Sequence, residues 1–184
     1  MHREVENTLK ELIQLVSSFN QEQINTIPFE GSWTAGQLGR HMIKSNSGFV
    51  EMLNGPVKDS GREPDKMVER IKEDFLDFNT KMKSPDFIVP ENINYNKEAL
   101  LSSLNNIKVD LNKAVLTLDL TKTCLVFELP VYGALTRLEA IYFVIYHTQR
   151  HIHQLKNIFQ KVVNKQKRKS EIQEKTKVKE RNNV

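Results

Sequence analysis

The stretch from Leu135 to about Val163 constrains the fold more than any other part of this chain. Thr136-Arg137-Leu138-Glu139 has the form of a capping box: a threonine that accepts from the backbone N–H three residues on, and a glutamate that reaches back to the threonine's own N–H. Leu135 and Ala140 occupy the flanking positions that clamp such a helix start. The run Ala140-Ile141-Tyr142-Phe143-Val144-Ile145-Tyr146 then makes the helix apolar on most of its sides. A helix of that kind must be surrounded by other elements, and the rest of the chain supplies mainly helices to do it.

Glu4–Asn20 places Val5, Leu9, Leu12, Ile13, Val16 and Phe19 at helical spacing and reads as the first helix. A second capping box, Thr34 with Gln37, opens a helix predicted over Ala35–Asn54, with Trp33 and Leu38 as its staple. Gly55-Pro56 is its stop signal, a glycine past the last turn followed by a residue that cannot continue. Leu38, His41, Ser45, Phe49 and Met52 share one stripe of this helix. Residues 56–63 read as loop, Lys66–Met82 as a charged helix, and the stretch between Pro85 and Asn96 as extended. Lys97–Leu118 repeats apolar residues every three or four positions. Cys124–Leu129 reads as a short extended piece closed by Pro130 and Gly133. The expected fold is all-α: a four-helix bundle, residues 1–160, with a long crossover between the second and third main helices, and a basic extension, residues 161–184, as frayed helix or disordered chain.

His147-Thr148-Gln149-Arg150-His151 lies inside the most apolar helix. Two imidazoles four residues apart stack on one helix face, one turn from each other, and can share a metal ion. An unpartnered imidazole in such a setting is costly to bury, so a ligand role is a reason for its being there. His41 lies on the inward stripe of the second helix, so packing can bring His41, His147 and His151 together as a three-histidine site. His153 points away from His151, and His2 is terminal. Ser45, Asn46, Ser47 and Arg150 are near the ligands in sequence and are candidates for substrate contact. A zincin peptidase carries glutamate directly after its first histidine; here that residue is Thr148. Three imidazoles leave coordination positions open, as in catalytic rather than structural sites.

The lone cysteine, Cys124, excludes an intrachain disulfide and a cysteine-rich zinc site, and is read as a small buried hydrophobe. The N-terminus lacks a signal-peptide core and no apolar run reaches the roughly 20 residues of a membrane span, so a soluble cytoplasmic protein is expected. The formal charge of +4 is unevenly placed. Residues 161–184 hold nine Lys/Arg and three Glu, a local +6 that leaves the body at −2. The body therefore offers no basic face for nucleic acid.

Gly31-Ser32-Trp33-Thr34-Ala35-Gly36-Gln37-Leu38 followed by His41, together with the later His147-x-x-x-His151 and the order of the helices, resembles the DinB-like superfamily of metal-binding four-helix bundles over about residues 1–160. The resemblance implies a divalent ion, nickel or zinc, held by His41, His147 and His151, and a homodimer. It also implies a reaction in which a low-molecular-weight thiol is activated for transfer to an electrophile. Metal-activated water, and hence a hydrolase, is equally compatible with the residues. A non-enzymatic, metal-stabilised binding module is a third expectation.

Overall fold

The computed structural model describes residues 1–181, with side chains through Gln166. Its long helices are α1 (His2–Ser17), α2 (Ala35–Asn54), α4 (Lys97–Thr117) and α5 (Arg137–Arg181); the short α3 (Val68–Leu76) lies in the connection between α2 and α4. Helix α1 packs against α4 and α5, and α2 packs against the same two. The four therefore form a ring in the order α1–α4–α2–α5.

Their directions follow from the contacts at their ends. Gln21, just past α1, donates to the carbonyl of Tyr95, just before α4, so α1 and α4 are antiparallel. Gly36 and Gly39 of α2 lie against Tyr95 and Leu100, so α2 and α4 start together and run parallel. Arg137 at the start of α5 donates to the carbonyl of Leu53 at the end of α2, so that pair is antiparallel. Because α2 and α4 run the same way, no short loop can join them, and residues 55–96 provide the crossover the sequence predicts.

Both capping boxes form. Gln37 N donates to Thr34 Oγ1 at 3.1 Å while Thr34 N donates to Gln37 Oε1 at 2.9 Å. Glu139 N donates to Thr136 Oγ1 at 3.2 Å and Thr136 N to Glu139 Oε2 at 2.9 Å. The second box does more than cap. Fully buried Glu139 also accepts from Met67 N and the Arg62 guanidinium, so it ties the crossover to the start of α5. Burial is affordable because every one of these donors is aimed at the carboxylate.

Several boundaries differ from the sequence reading. The first helix spans His2–Ser17 rather than Glu4–Asn20, and the hydroxyls of Ser17 and Ser18 donate to the carbonyls of Gln14 and Leu15 in its last turn. The charged helix is only Val68–Leu76, not Lys66–Met82. It stops because Asp77 turns on itself, accepting from Asn79 N and from the Thr80 hydroxyl, a local bond that competes with the helix. Cys124–Leu129 is not one strand: β2 (Thr123–Cys124) pairs antiparallel with β1 (Val57–Lys58), which lies in a stretch read as loop. The last helix does not end near Val163 but runs on to Arg181, for the sequence contains neither glycine nor proline from Arg137 to that point. Of the charged side chains expected in the basic extension, Lys161 and Lys165 are exposed, the latter donating to the carbonyl of Ile27, and those from Lys167 onward lie outside the described side chains. Gly55 is not left-handed (φ −79°, ψ −174°). It is glycine for space: a Cβ there would sit 2.2 Å from Val126 Cγ2.

The bundle core is aliphatic. Leu12, Leu38, Met42, Met52, Leu111 and Ile145 are among its fully buried side chains. Cys124 belongs to this core, as expected, and burial pushes its thiol up to about 11, which keeps it protonated and unreactive. No helix among the described residues is long and apolar enough to cross a membrane.

Candidate metal centre

Helix α2 presents His41 and helix α5 presents His147 and His151, all buried, at the antiparallel α2–α5 interface. Their Nε2 atoms form a triangle with edges of 3.0 Å (His147–His151), 3.1 Å (His41–His151) and 3.4 Å (His41–His147). Ligand nitrogens about 2.0–2.1 Å from one ion stand about 3.0 Å apart across a right angle and about 3.4 Å apart across a tetrahedral one. The triangle fits one ion on a single coordination face. Among the described residues it is the one group of three or more His, Cys, Asp or Glu side chains close enough to hold a metal.

The outward nitrogens decide the protonation. His41 Nδ1 lies 3.0 Å from the carbonyl of Ile88, which can only accept, so Nδ1 carries the proton and Nε2 a bare lone pair. His151 Nδ1 lies 3.0 Å from Gln154 Oε1 and follows the same logic. His147 Nδ1 faces the Ser45 hydroxyl at 3.4 Å. The lone pairs of His41 and His151 thus both face the His147 Nε2 position, and with His147 in the same tautomer the three repel unless a cation sits between them. Protons are not that cation. Burial, with the neighbouring imidazoles, holds His147 well below its ordinary value of 6.5, and burial holds His151 at about 3. His41 is also lowered, by burial first and then by the Lys44 charge, against the Ile88 hydrogen bond that raises it.

The carbonyl that orients His41 is itself held in place. Lys44 donates to Val89 O at 2.8 Å and pairs with Glu91 at 2.7 Å, while Tyr95 OH donates to Glu91 O at 2.8 Å. Those contacts keep residues 85–91, and with them Ile88 O, against α2. Hydrogen bonds from Lys44 hold the Glu91 carboxylate at about 2, so the clamp stays charged throughout the neutral range.

The triangle opens into a cleft of about 1410 Å³. Rings surround it: Trp33 lies 5.1 Å from His41, and Phe75 and Phe143 lie 5.4 Å and 5.6 Å from His147, centroid to centroid. Glu128, exposed, is the single acidic residue among those lining the cleft.

The other candidates are placed as follows. Ser45 reaches the site, through His147 rather than by facing substrate alone. Asn46 is fully buried outside the cleft lining, and its side-chain amide has no partner among the described residues. Ser47 is exposed. Arg150 lines the cleft, but its guanidinium is occupied by the carbonyls of Phe75, Asp77 and Thr80, so it pins the segment after α3. Thr148 is fully buried, its hydroxyl has no partner among the described residues, and it does not line the cleft. His153 is exposed and stacks on Phe78 at 4.3 Å. His2 is partly buried at the start of α1. Sequence reasoning missed Gln154 and Ile88. The first has a signal, since an amide three residues after a ligand shares its helix face; the second acts through a backbone carbonyl, which no side-chain pattern reports.

Comparison with known proteins agrees with this architecture. Over 148 residues, 80% of this chain and 90% of the other, the sequence is 26% identical to YuaE of Bacillus subtilis (strain 168), a protein described as uncharacterized. The fold is similar to that of TT2238, described as a four-helix bundle protein, at a TM-score of 0.54 and 18% identity over 84% of this chain and 94% of that one. It is similar also to YfiT from Bacillus subtilis, described as a probable metal-dependent hydrolase with an unusual four-helix bundle topology, at a TM-score of 0.54 and 16% identity over 85% of this chain and 82% of that one. The sequence profile of the DinB superfamily matches residues 4–155, which takes in all three histidines, and the chain belongs to that superfamily.

Proposed function

We propose that this protein is a metal-dependent enzyme in which His41, His147 and His151 hold one divalent ion, zinc or nickel, and that its reaction is transfer of a low-molecular-weight thiol to an electrophile. The observation that carries the metal is the convergence of three Nε2 atoms in a buried triangle. Imidazole donors suit both ions. When bound, the ion supplies Lewis acidity, lowering the pKa of a thiol or water that reaches its open positions.

The chain's own residues do the rest. Ile88 O, Gln154 and Ser45 fix the three rings so that each offers Nε2 to the cleft. Trp33, Phe75 and Phe143 shield the site from bulk water, which strengthens electrostatic interactions within it. Among the described residues the cleft lining holds one carboxylate, exposed Glu128, and the histidine cluster holds none, which favours a nucleophile that the ion alone can activate, and a thiol is the easier of the two to deprotonate. The description of YfiT favours a second reading, hydrolysis by activated water.

Elemental analysis after reconstitution with zinc or nickel is expected to give about one ion per chain; no bound metal from either ion overturns the proposal. The metal-loaded protein is then assayed with a thiol and an alkylating electrophile. Consumption of the electrophile that requires the thiol supports transfer. Equal turnover without thiol, with water incorporated, replaces it by the hydrolase reading.

A further inference from the structure

Seven of the nine phenylalanines in this chain line the cleft above the histidine triangle, as does its one tryptophan. The remaining two, Phe19 and Phe159, pack edge to face on each other elsewhere in the bundle. The concentration is not a general property of the interior, whose largest fully buried side chains are Leu, Ile and Met apart from Phe19. Nor is all of it core filling, although Phe49, Phe75 and Phe143 are buried. Phe29, Phe78 and Phe87 at the cleft rim are 55%, 45% and 78% exposed, so their rings contribute little to burial in the protein as it stands.

Four of the phenylalanines, Phe49, Phe75, Phe127 and Phe143, form a connected wall that ends at a ligand. Phe143 stands at its centre, 4.7 Å from Phe49 and from Phe75, 6.0 Å from Tyr132 and 5.6 Å from His147. At the rim, Phe78 and His153 are stacked in parallel planes 4.3 Å apart. Aromatic rings add to the area they bury a preference for other rings, through offset stacking and edge-to-face contact. A cleft whose inner wall and outer rim are both aromatic therefore distinguishes planar π-systems from aliphatic groups of equal size.

From this distribution we infer that the site takes a small molecule that joins a metal-binding head to an aromatic ring, with the head at the histidine triangle and the ring against the phenylalanine wall. The inference rests on the metal reading for its head and on the cleft alone for its ring, so the two parts can be tested separately.

For the whole, the zinc-loaded protein is titrated calorimetrically with benzohydroxamate, cyclohexanecarbohydroxamate and acetohydroxamate, which share one metal-binding head. The phenyl compound is expected to bind about three- to tenfold tighter than the cyclohexyl one, the worth of an aromatic contact beyond area; equal binding of the two overturns the aromatic preference. For the ring alone, metal-stripped protein is titrated with benzyl alcohol and cyclohexylmethanol while the fluorescence of Trp33 is followed. Stronger response to benzyl alcohol is expected even if the protein takes up no metal, and its absence overturns the wall as a ring site. Exposed Phe87 can be changed without disturbing the core, so Phe87→Leu is expected to keep metal content and melting temperature while shrinking the phenyl advantage. An undiminished advantage in both Phe87→Leu and Phe78→Leu overturns the rim's part in it.

Discussion

The two halves of this bundle are built from different materials. Where α1 meets α4 and α5 the interior is mainly aliphatic, with Leu12, Leu111 and Ile145 among its buried side chains. Where α2 faces α5 the interior carries three imidazoles, the hydroxyl of Ser45 and a wall of phenylalanines open to solvent at one end. The first half holds the protein together through burial, about 1.5–3 kcal/mol for each large side chain. The second half gathers three imidazole Nε2 atoms within 3.4 Å of one another, a grouping suited to an ion rather than to packing. Stability and chemistry are thereby assigned to different helix interfaces, and a substitution on one side should leave the property of the other largely intact.

The sharpest test sets one residue from each half side by side. His147→Ala is expected to weaken metal binding by more than the roughly 10–100-fold that loss of an outer partner costs, while metal-free stability changes little because outside the triangle the His147 ring nitrogens make only a long, 3.4 Å contact with Ser45. Leu111→Ala is expected to do the reverse, costing about 2–5 kcal/mol of stability with one ion still bound per folded chain. Calorimetric metal titration and urea unfolding of both variants decide it; a large loss of metal-free stability in His147→Ala would break the separation.

Next in size come the groups that aim the ligands. Gln154→Ala and Glu91→Gln are each expected to lower metal affinity by about tenfold, the first through His151 directly and the second through the clamp on Ile88 and His41. Competition with a chelating dye measures this. Unchanged affinity in Glu91→Gln would mean that the clamp secures the loop without steering His41.

Acid should act through one half only. The three buried imidazoles hold folded-state values below the ordinary 6.5, so the unfolded chain binds more protons than the folded one at pH below about 6.5. Metal-free stability is therefore fully present above pH 6.5 and declines as pH falls from there towards the His151 value of about 3. Urea midpoints at pH 7.5 and pH 5 check the sign, and the slope should flatten when the histidines are replaced. The smallest effect concerns Val131, a β-branched residue at φ 77° in the turn that presents Tyr132 to the cleft. Val131→Gly relieves a backbone strain of order 1–3 kcal/mol, against which glycine's own entropy cost works, so a net gain of about 1 kcal/mol or less in thermal unfolding is expected.

The sequence by itself determined the local structure around the site. Ala35–Asn54 starts at Thr34 and the last helix at Arg137 because each capping box satisfies its own exposed N–H groups within four residues. The i, i+4 spacing put His147 and His151 on one face for the same reason of short range. Helix ends without such a box were less legible: α3 stopped early at the Asp77 turn, and α5 continued because losing an apolar stripe is not a stop signal. Only the tertiary structure decided that His41 completes a triangle, that Ile88 O fixes its proton, and that phenylalanines scattered from Phe29 to Phe143 line one cleft. Those relations join residues far apart in the chain through the α2–α5 crossing, and a linear pattern contains no distances across a crossing.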